Sequence, residues 1–301
     1  MHLLALSMVM GAGVLWASGG IAAQHLFTHS SISTGSLTTF RMFWTGVIML
    51  LLSYVKGGMH RDWEILCQNR HLVKDLLVYA VFALWAMHYT YYQSIEEGNA
   101  AAATVIQYTC PAMVVLYESL RYRKKPGKWE ILTVLLAVGG TFLLVTGGSL
   151  KKLSVPEACL FWGLLSAVFF AVSAIYPKHL LNQFSNEFLL TVGMFAGALF
   201  SWAVFPPFAV SDFLTEPALF DVIWIILFGT AMAFICFNRG LAWLKPAEAS
   251  VTATVEPLAS VVFSCLLFGM TFNAWELAGI FMIIGAIAVL AVRDFIHTGD
   301  E

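Results

Sequence analysis

The chain has 301 residues, of which 59% are hydrophobic and only 11% are charged, and its mean hydropathy is +0.80. A soluble domain is about 45–50% apolar and about 25% charged, so this chain lacks the polar surface of a soluble globule. The formal net charge of −2 argues against a general polyanion binder, which excludes nucleic acid as a partner. The lipid bilayer is therefore the expected environment.

Ten apolar stretches are each long enough to cross the hydrocarbon core, which takes about 20 residues in a helix. They lie near residues 3–22, 34–55, 75–95, 98–120, 129–147, 156–176, 186–206, 220–242, 246–268 and 275–292. Continuous runs of this length, without the alternation of membrane barrel strands, predict an all-α integral membrane protein with ten transmembrane helices. Met1–Met10 lacks the features of a signal peptide and is expected to begin the first helix.

The distribution of Lys and Arg predicts the orientation in the membrane. If the N-terminus is inside, thirteen of the 16 basic residues fall on the inner side, and only Lys151 and Lys152 lie in outer loops. Cytoplasmic loops carry such an excess of positive charge, so both termini are predicted to be cytoplasmic.

An internal repeat is visible in the sequence. A shift of 146 residues matches six pairs: Ala101 with Ala247, Ala103 with Ala249, Pro111 with Pro257, Trp129 with Trp275, Glu130 with Glu276 and Gly139 with Gly285. Nearer the N-terminus a shift of 154 matches four more: Ala17 with Ala171, Ile21 with Ile175, His25 with His179 and Leu26 with Leu180. Residues 1–150 and 151–301 are therefore predicted to be two five-helix repeats. An odd number of helices in each half inverts the second half in the membrane, an arrangement typical of secondary transporters.

Five short segments resemble the EamA-type branch of the drug/metabolite transporter superfamily. They are Trp16-Ala17-Ser18-Gly19-Gly20, Phe40-Arg41-Met42-Phe43, Thr109-Cys110-Pro111, Val255-Glu256-Pro257 and Trp275-Glu276-Leu277-Ala278-Gly279. The resemblance covers essentially the whole chain. It implies a ten-helix carrier that exports small metabolites, often amino acids, across the cytoplasmic (inner) membrane.

Two positions depart from the family pattern. Where the family often has Gly-Glu after helices four and nine, this chain has Arg123-Lys124 and Gly269-Met270. Helix one also lacks the carboxylate that small multidrug members of the superfamily use for proton coupling, so proton antiport by that mechanism is not expected.

Three ionisable residues lie well inside predicted spans, where a charge is expensive and is therefore a functional candidate. Glu256 is interpreted as a proton-titrating or amine-binding group, with a protonated structural carboxyl as the alternative. Arg41 is interpreted as a carboxylate clamp, with a side chain that snorkels to the outer interface or pairs with a backbone carbonyl as the alternative. His88 is either a gate or proton relay or a packing residue. Residues near helix ends, including Asp221, Arg239, Glu118 and Glu248, are set aside as interfacial.

Pro111 and Pro257 each remove one helical hydrogen bond, which frees the carbonyls of Gln107 and Ala253. Matched breaks in two halves indicate a binding site with gating prolines; ordinary membrane-helix kinks are the alternative. Six further residues lie at suitable depths to line a mixed aromatic and polar substrate cavity: Trp16, Trp85, Tyr89, Gln107, Tyr108 and Asn238.

These patterns favour a secondary transporter of small molecules such as amino acids, with aromatic or hydrophobic side chains favoured by an aromatic lining. A lipid or amphipathic-metabolite flippase of the same fold is the alternative. An enzyme is disfavoured because the sequence contains no HExxH or Gly-x-Ser-x-Gly motif. No metal and no cofactor is expected, and monomer and homodimer are both open.

Overall fold

The computed structural model describes residues 2–123, 125–149, 153–205, 210–215, 218–241, 243–244 and 252–297. Within these ranges every regular element is helical, which confirms the all-α fold class. Some residues named above lie outside the described ranges: Met1, Lys124, Lys151, Lys152, Ala247, Glu248 and Ala249.

Fifteen α-helices are described. In chain order they are α1 His2–His29, α2 Thr34–Val55, α3 Met59–Gln68, α4 His71–Val78, α5 Ala86–Glu97, α6 Ala100–Gln107, α7 Cys110–Tyr122, α8 Lys128–Thr146, α9 Glu157–Ile175, α10 Lys178–Leu181, α11 Asn186–Val204, α12 Ala218–Ile226, α13 Ala233–Leu241, α14 Val255–Phe268 and α15 Ala274–His297. Two π-helical segments, Tyr79–Trp85 and Leu227–Met232, join α4 to α5 and α12 to α13.

Eight helical segments are long and apolar enough to cross a membrane, so the chain is a multi-pass membrane protein. Two shorter apolar helices, Val255–Phe268 and Ala274–Val289, coincide with the predicted ninth and tenth spans. The number ten therefore stays a prediction. The segment between the predicted spans 34–55 and 75–95 contains the short helix α3, which is too polar to have been predicted as a span.

Pro111 and Pro257 lie in the first turns of new helices instead of kinking continuous ones. Helix α6 ends at Gln107 and α7 begins at Cys110, so Pro111 stands where a missing N–H costs no helical hydrogen bond. Helix α14 begins at Val255, two residues before Pro257. The chain thus breaks at matched places in the two halves.

The contact between α8 and α15 repeats itself under the shift of 146 residues. A Cβ on Gly140 would lie 2.7 Å from the carbonyl oxygen of Gly279, so the two backbones touch. The shift carries Gly140 to Ala286 and Thr133 to Gly279, and the Thr133 hydroxyl lies 3.4 Å from the Ala286 carbonyl oxygen. Equivalent positions therefore meet twice within this one crossing, Gly140 with Gly279 and Ala286 with Thr133.

A central cavity as candidate functional site

A cavity of about 570 Å³ lies in the middle of the bundle, within the size range of small-molecule sites. Most of the sequence-predicted site residues line it: Trp16, Arg41, His88, Gln107, Tyr108, Pro111, Asn238 and Glu256. These residues come from α1, α2, α5, α6, the break between α6 and α7, α7 itself, α13 and α14. The fold thus brings together side chains that are up to 240 positions apart in the chain.

Trp85 and Tyr89 lie outside this lining. Their rings stack on each other with centroids 5.3 Å apart, and Tyr89 also stacks on Phe205 at 5.0 Å. The lining residues Leu84, Met87, His88 and Tyr91 follow the spacing of one helical face, and Trp85 and Tyr89 occupy the neighbouring face. Depth in the membrane is readable from sequence, but the face that turns inward is not. Pro257 also lies outside the lining, directly after Glu256.

Glu256 is a buried carboxyl held by Tyr108. The Tyr108 hydroxyl donates to Glu256 Oε2 at 2.8 Å and lies 3.2 Å from the Ala253 carbonyl oxygen. Pro257 has no N–H to donate to that carbonyl. The Tyr108 hydroxyl therefore contacts both the Glu256 carboxyl and the carbonyl that Pro257 leaves without a helical hydrogen bond. Gly13 of α1 packs against this turn: a Cβ there would lie 3.2 Å from the Glu256 backbone nitrogen.

Arg41 is buried, with 5% of its surface exposed. Its Nε–H donates to the Thr230 hydroxyl at 2.9 Å, and its guanidinium carbon lies 5.1 Å from the ring centroid of Tyr92, a cation–π contact. In the described part of the chain, no carboxylate forms an ion pair with Arg41. Buried charges are normally paired, so this guanidinium is suited to an anionic group that enters the cavity.

The other polar lining residues hold defined positions. His88 Nδ1 lies 2.8 Å from the Leu84 carbonyl oxygen, so the N–H points along its own helix. The Gln107 amide donates to the Ser166 hydroxyl at 2.6 Å, which ties α6 to α9. These contacts fix the ring and the amide at the cavity wall.

Several aromatic residues that sequence reasoning missed also line the cavity: Tyr91, Tyr92, Phe170, Phe234 and Phe237. Trp16 packs against two of them, with ring centroids 5.5 Å from Phe234 and 5.2 Å from Phe237. The repeat could have found two of them, because the shift of 154 carries Trp16 to Phe170 and the shift of 146 carries His88 to Phe234.

The fold and the cavity define a multi-pass membrane protein with a largely apolar, aromatic-walled site between its helices, into which a few polar side chains point. The chain belongs to the EamA-like transporter family, whose model matches it twice, over residues 3–146 and 158–292. It is therefore a membrane transporter of that family.

Relatives agree with this assignment. The chain is 31% identical, over 94% of each chain, to the "Uncharacterized inner membrane transporter YicL" of Salmonella typhimurium. It is 24% identical to the "Uncharacterized transporter YxxF" of Bacillus subtilis, over 67% of this chain and 65% of that one. A crystal structure at 16% identity covers 96% of this chain and 98% of its own with a TM-score of 0.65, which shows the shared fold.

Proposed function

We propose that this protein is a secondary transporter that exports small metabolites of the amino-acid type across the inner membrane, by alternating access around the central cavity. The observation that carries the proposal is the presence, in one cavity, of the carboxyl Glu256 and of Arg41, which pairs with no carboxylate among the described residues. An amino acid offers one group of opposite charge to each.

In this arrangement the substrate carboxylate binds the planar donor fork of Arg41, and the ammonium group binds Glu256. The aromatic wall of Trp16, Phe234 and Phe237 suits an apolar or aromatic side chain. When no substrate is bound, Glu256 is a carboxyl in the cavity that can take up a proton, which makes it a candidate for proton coupling.

The two halves are proposed to lie in the membrane in opposite orientations, as two inverted repeats divided near residue 150. The repeated α8–α15 crossing supports this division. The positive-inside distribution supports an orientation with both termini in the cytoplasm.

Counterflow in proteoliposomes tests the proposal. Vesicles are loaded with unlabelled amino acids, and uptake of labelled aromatic and aliphatic amino acids is followed without any ion gradient. Saturable uptake, reduced in Arg41→Ala but not in Arg61→Ala, supports the proposal, since Arg61 is an exposed arginine on α3. Uptake no greater than in empty liposomes would overturn the amino-acid assignment, and transfer of labelled lipid in the same vesicles would favour a flippase.

A further inference from the structure

Two histidine–aspartate contacts each join one half of the chain to the other. His25 Nδ1 of α1 lies 2.7 Å from Asp221 Oδ2 of α12. His179 Nε2 of α10 lies 3.6 Å from Asp75 Oδ2 of α4. Neither contact takes part in the cavity described above, since none of these four side chains lines it.

The repeat relates these two contacts to each other. The shift of 154 residues carries His25 to His179, and the shift of 146 residues carries Asp75 to Asp221. The first contact uses the histidine of the first half and the aspartate of the second, and the second contact uses the reverse. The two contacts therefore join equivalent positions of the two halves, as the two contacts between α8 and α15 do.

The two contacts lie at opposite ends of the bundle. Phe27, near His25 on α1, packs edge-on against Tyr92 with ring centroids 6.4 Å apart. Asp75 lies 17 residues before Tyr92 in the continuous helical segment from 71 to 97, a distance of about 25 Å along its axis. We call these the His25 end and the His179 end.

The two ends differ in the exposure of the paired side chains. At the His25 end, the side chains of His25 and Asp221 are 38% and 6% exposed. At the His179 end, those of His179 and Asp75 are 50% and 36% exposed. A buried apolar cluster adjoins each contact: the one at the His25 end includes Leu26 and Val222, and the one at the His179 end includes Leu76 and Leu180. The ends therefore differ in the contacts themselves: the short contact at the His25 end is the less exposed one, and the long contact at the His179 end is the more exposed one.

The cavity follows the same division. On α1 its lining ends at Gly20, before His25 is reached. In the other direction it extends to Pro177 and Leu181, which flank His179, and to Asn186. The described lining therefore includes residues on both sides of His179, whereas on α1 no lining residue lies within four positions of His25.

We propose that His25–Asp221 and His179–Asp75 are the two gate latches of this transporter, and that they tighten alternately. With His25–Asp221 closed, the cavity communicates with the His179 end. When the two halves exchange conformations, His179–Asp75 shortens and His25–Asp221 parts, so that the cavity opens at the His25 end. A hydrogen bond from an imidazole N–H to a carboxylate supplies each closed contact. This proposal rests on the alternating access of the proposed function, but on no particular substrate.

Cys110 provides a reporter that needs no substrate, because it is a free cysteine among the residues that line the cavity. A variant that keeps Cys110 is made by replacing the other four cysteines, Cys67, Cys159, Cys236 and Cys265. A small membrane-impermeant thiol reagent is then applied from each face of oriented vesicles, and the labelling rate of Cys110 is measured. In this parent, labelling is expected from the His179 end.

His25→Ala and, separately, Asp221→Asn should raise labelling from the His25 end about tenfold, equivalent to about 1.4 kcal/mol in the balance between states. His179→Ala should lower labelling from the His25 end, because the His179–Asp75 contact stabilises the state that is open at that end. The control is His60→Ala, which breaks a 3.1 Å contact with Glu64 within α3 and should change neither rate.

Unchanged labelling in both His25→Ala and Asp221→Asn would overturn the proposal, as would shifts in the same direction for His25→Ala and His179→Ala. A Cys110 that stays protected from both faces in every variant would overturn it too. The assay contains no amino acid, so these outcomes are separate from a failure of the counterflow experiment.

Discussion

The two halves of the molecule supply equivalent backbone positions to the cavity but different chemistry. Glu256 corresponds to Cys110 under the shift of 146 residues. Ser33 and Ser185 cap α2 and α11 in the same way, which sets a shift of 152 there and carries Arg41 to Gly193. Each charged residue of the cavity thus has a neutral counterpart in the other half.

The contacts around these positions are repeated although the side chains are not. Arg41 reaches Thr230, and the equivalent Gly193 lies against Leu84, 146 residues before Thr230. Glu256 packs on Gly13, and Cys110 belongs to one apolar cluster with Ala167, 154 residues after Gly13. A repeated scaffold allows the halves to exchange conformations, and unequal side chains give the cavity one positive and one acidic side.

The largest expected effect comes from removing the positive side. Arg41→Ala should reduce counterflow of amino acids at least about tenfold, because loss of one partner of a buried charge pair costs about 2–5 kcal/mol. Amino-acid amides lack the carboxylate and should lose much less. Competition by amides against labelled amino acids measures the difference, and an equal loss for both would contradict the carboxylate clamp.

Removing the acidic side should have the next largest effect. Glu256→Gln keeps the shape and a hydrogen-bond acceptor for Tyr108 but can no longer release a proton, so transport should become independent of pH. The matched control is Cys110→Ser at the equivalent position, which should keep the pH profile of the parent. Counterflow measured across a pH series decides the point, and an unchanged profile in Glu256→Gln would remove Glu256 from coupling.

A smaller effect is expected where the two halves touch without charge. Gly140→Ala places a Cβ 2.7 Å from the Gly279 carbonyl oxygen, and such overpacking costs about 1–3 kcal/mol. Gly285→Ala on α15 has nothing within 4 Å of its new Cβ and serves as the control. Thermal unfolding in detergent should show a lower midpoint for Gly140→Ala alone. Equal midpoints would contradict the close crossing of α8 with α15.

Much of this architecture could be predicted from sequence, because each span is a run of apolar residues long enough, as a helix, to cross the membrane. The described helices 34–55 and 186–204 agree with the prediction within two residues. The positions of Arg41 and Glu256 along their helices also predicted that both lie well inside the membrane, and both line the cavity. The direction of each side chain was not readable, since neighbouring helices decide it, and Trp85 and Tyr89 therefore turned out to face an aromatic cluster.

Asp221 shows a second limit of the sequence. Its position near a helix end predicted an interfacial carboxylate, yet its side chain is buried and joined to His25, 196 residues away. Only the structure brings α1 and α12 together. Once the contact is known, however, the repeat shows that Asp75 and His179 make the same contact, so the sequence repeat becomes informative when one of its contacts is solved.

The smallest expected effect concerns the hydroxyl that joins the acidic side of the cavity to the broken helix. Tyr108→Phe keeps the ring, whose centroid lies 6.1 Å from that of Phe170, but leaves Glu256 and the Ala253 carbonyl without their donor. Loss of one such hydrogen bond costs about 1–2 kcal/mol, so the unfolding midpoint should fall by a few degrees. Tyr117→Phe, on an exposed side chain of α7, should leave the midpoint unchanged. If both variants unfold like the parent, the hydrogen bonds of Tyr108 do not hold α14 in place, and the break before Pro257 is stabilised by packing on Gly13 instead.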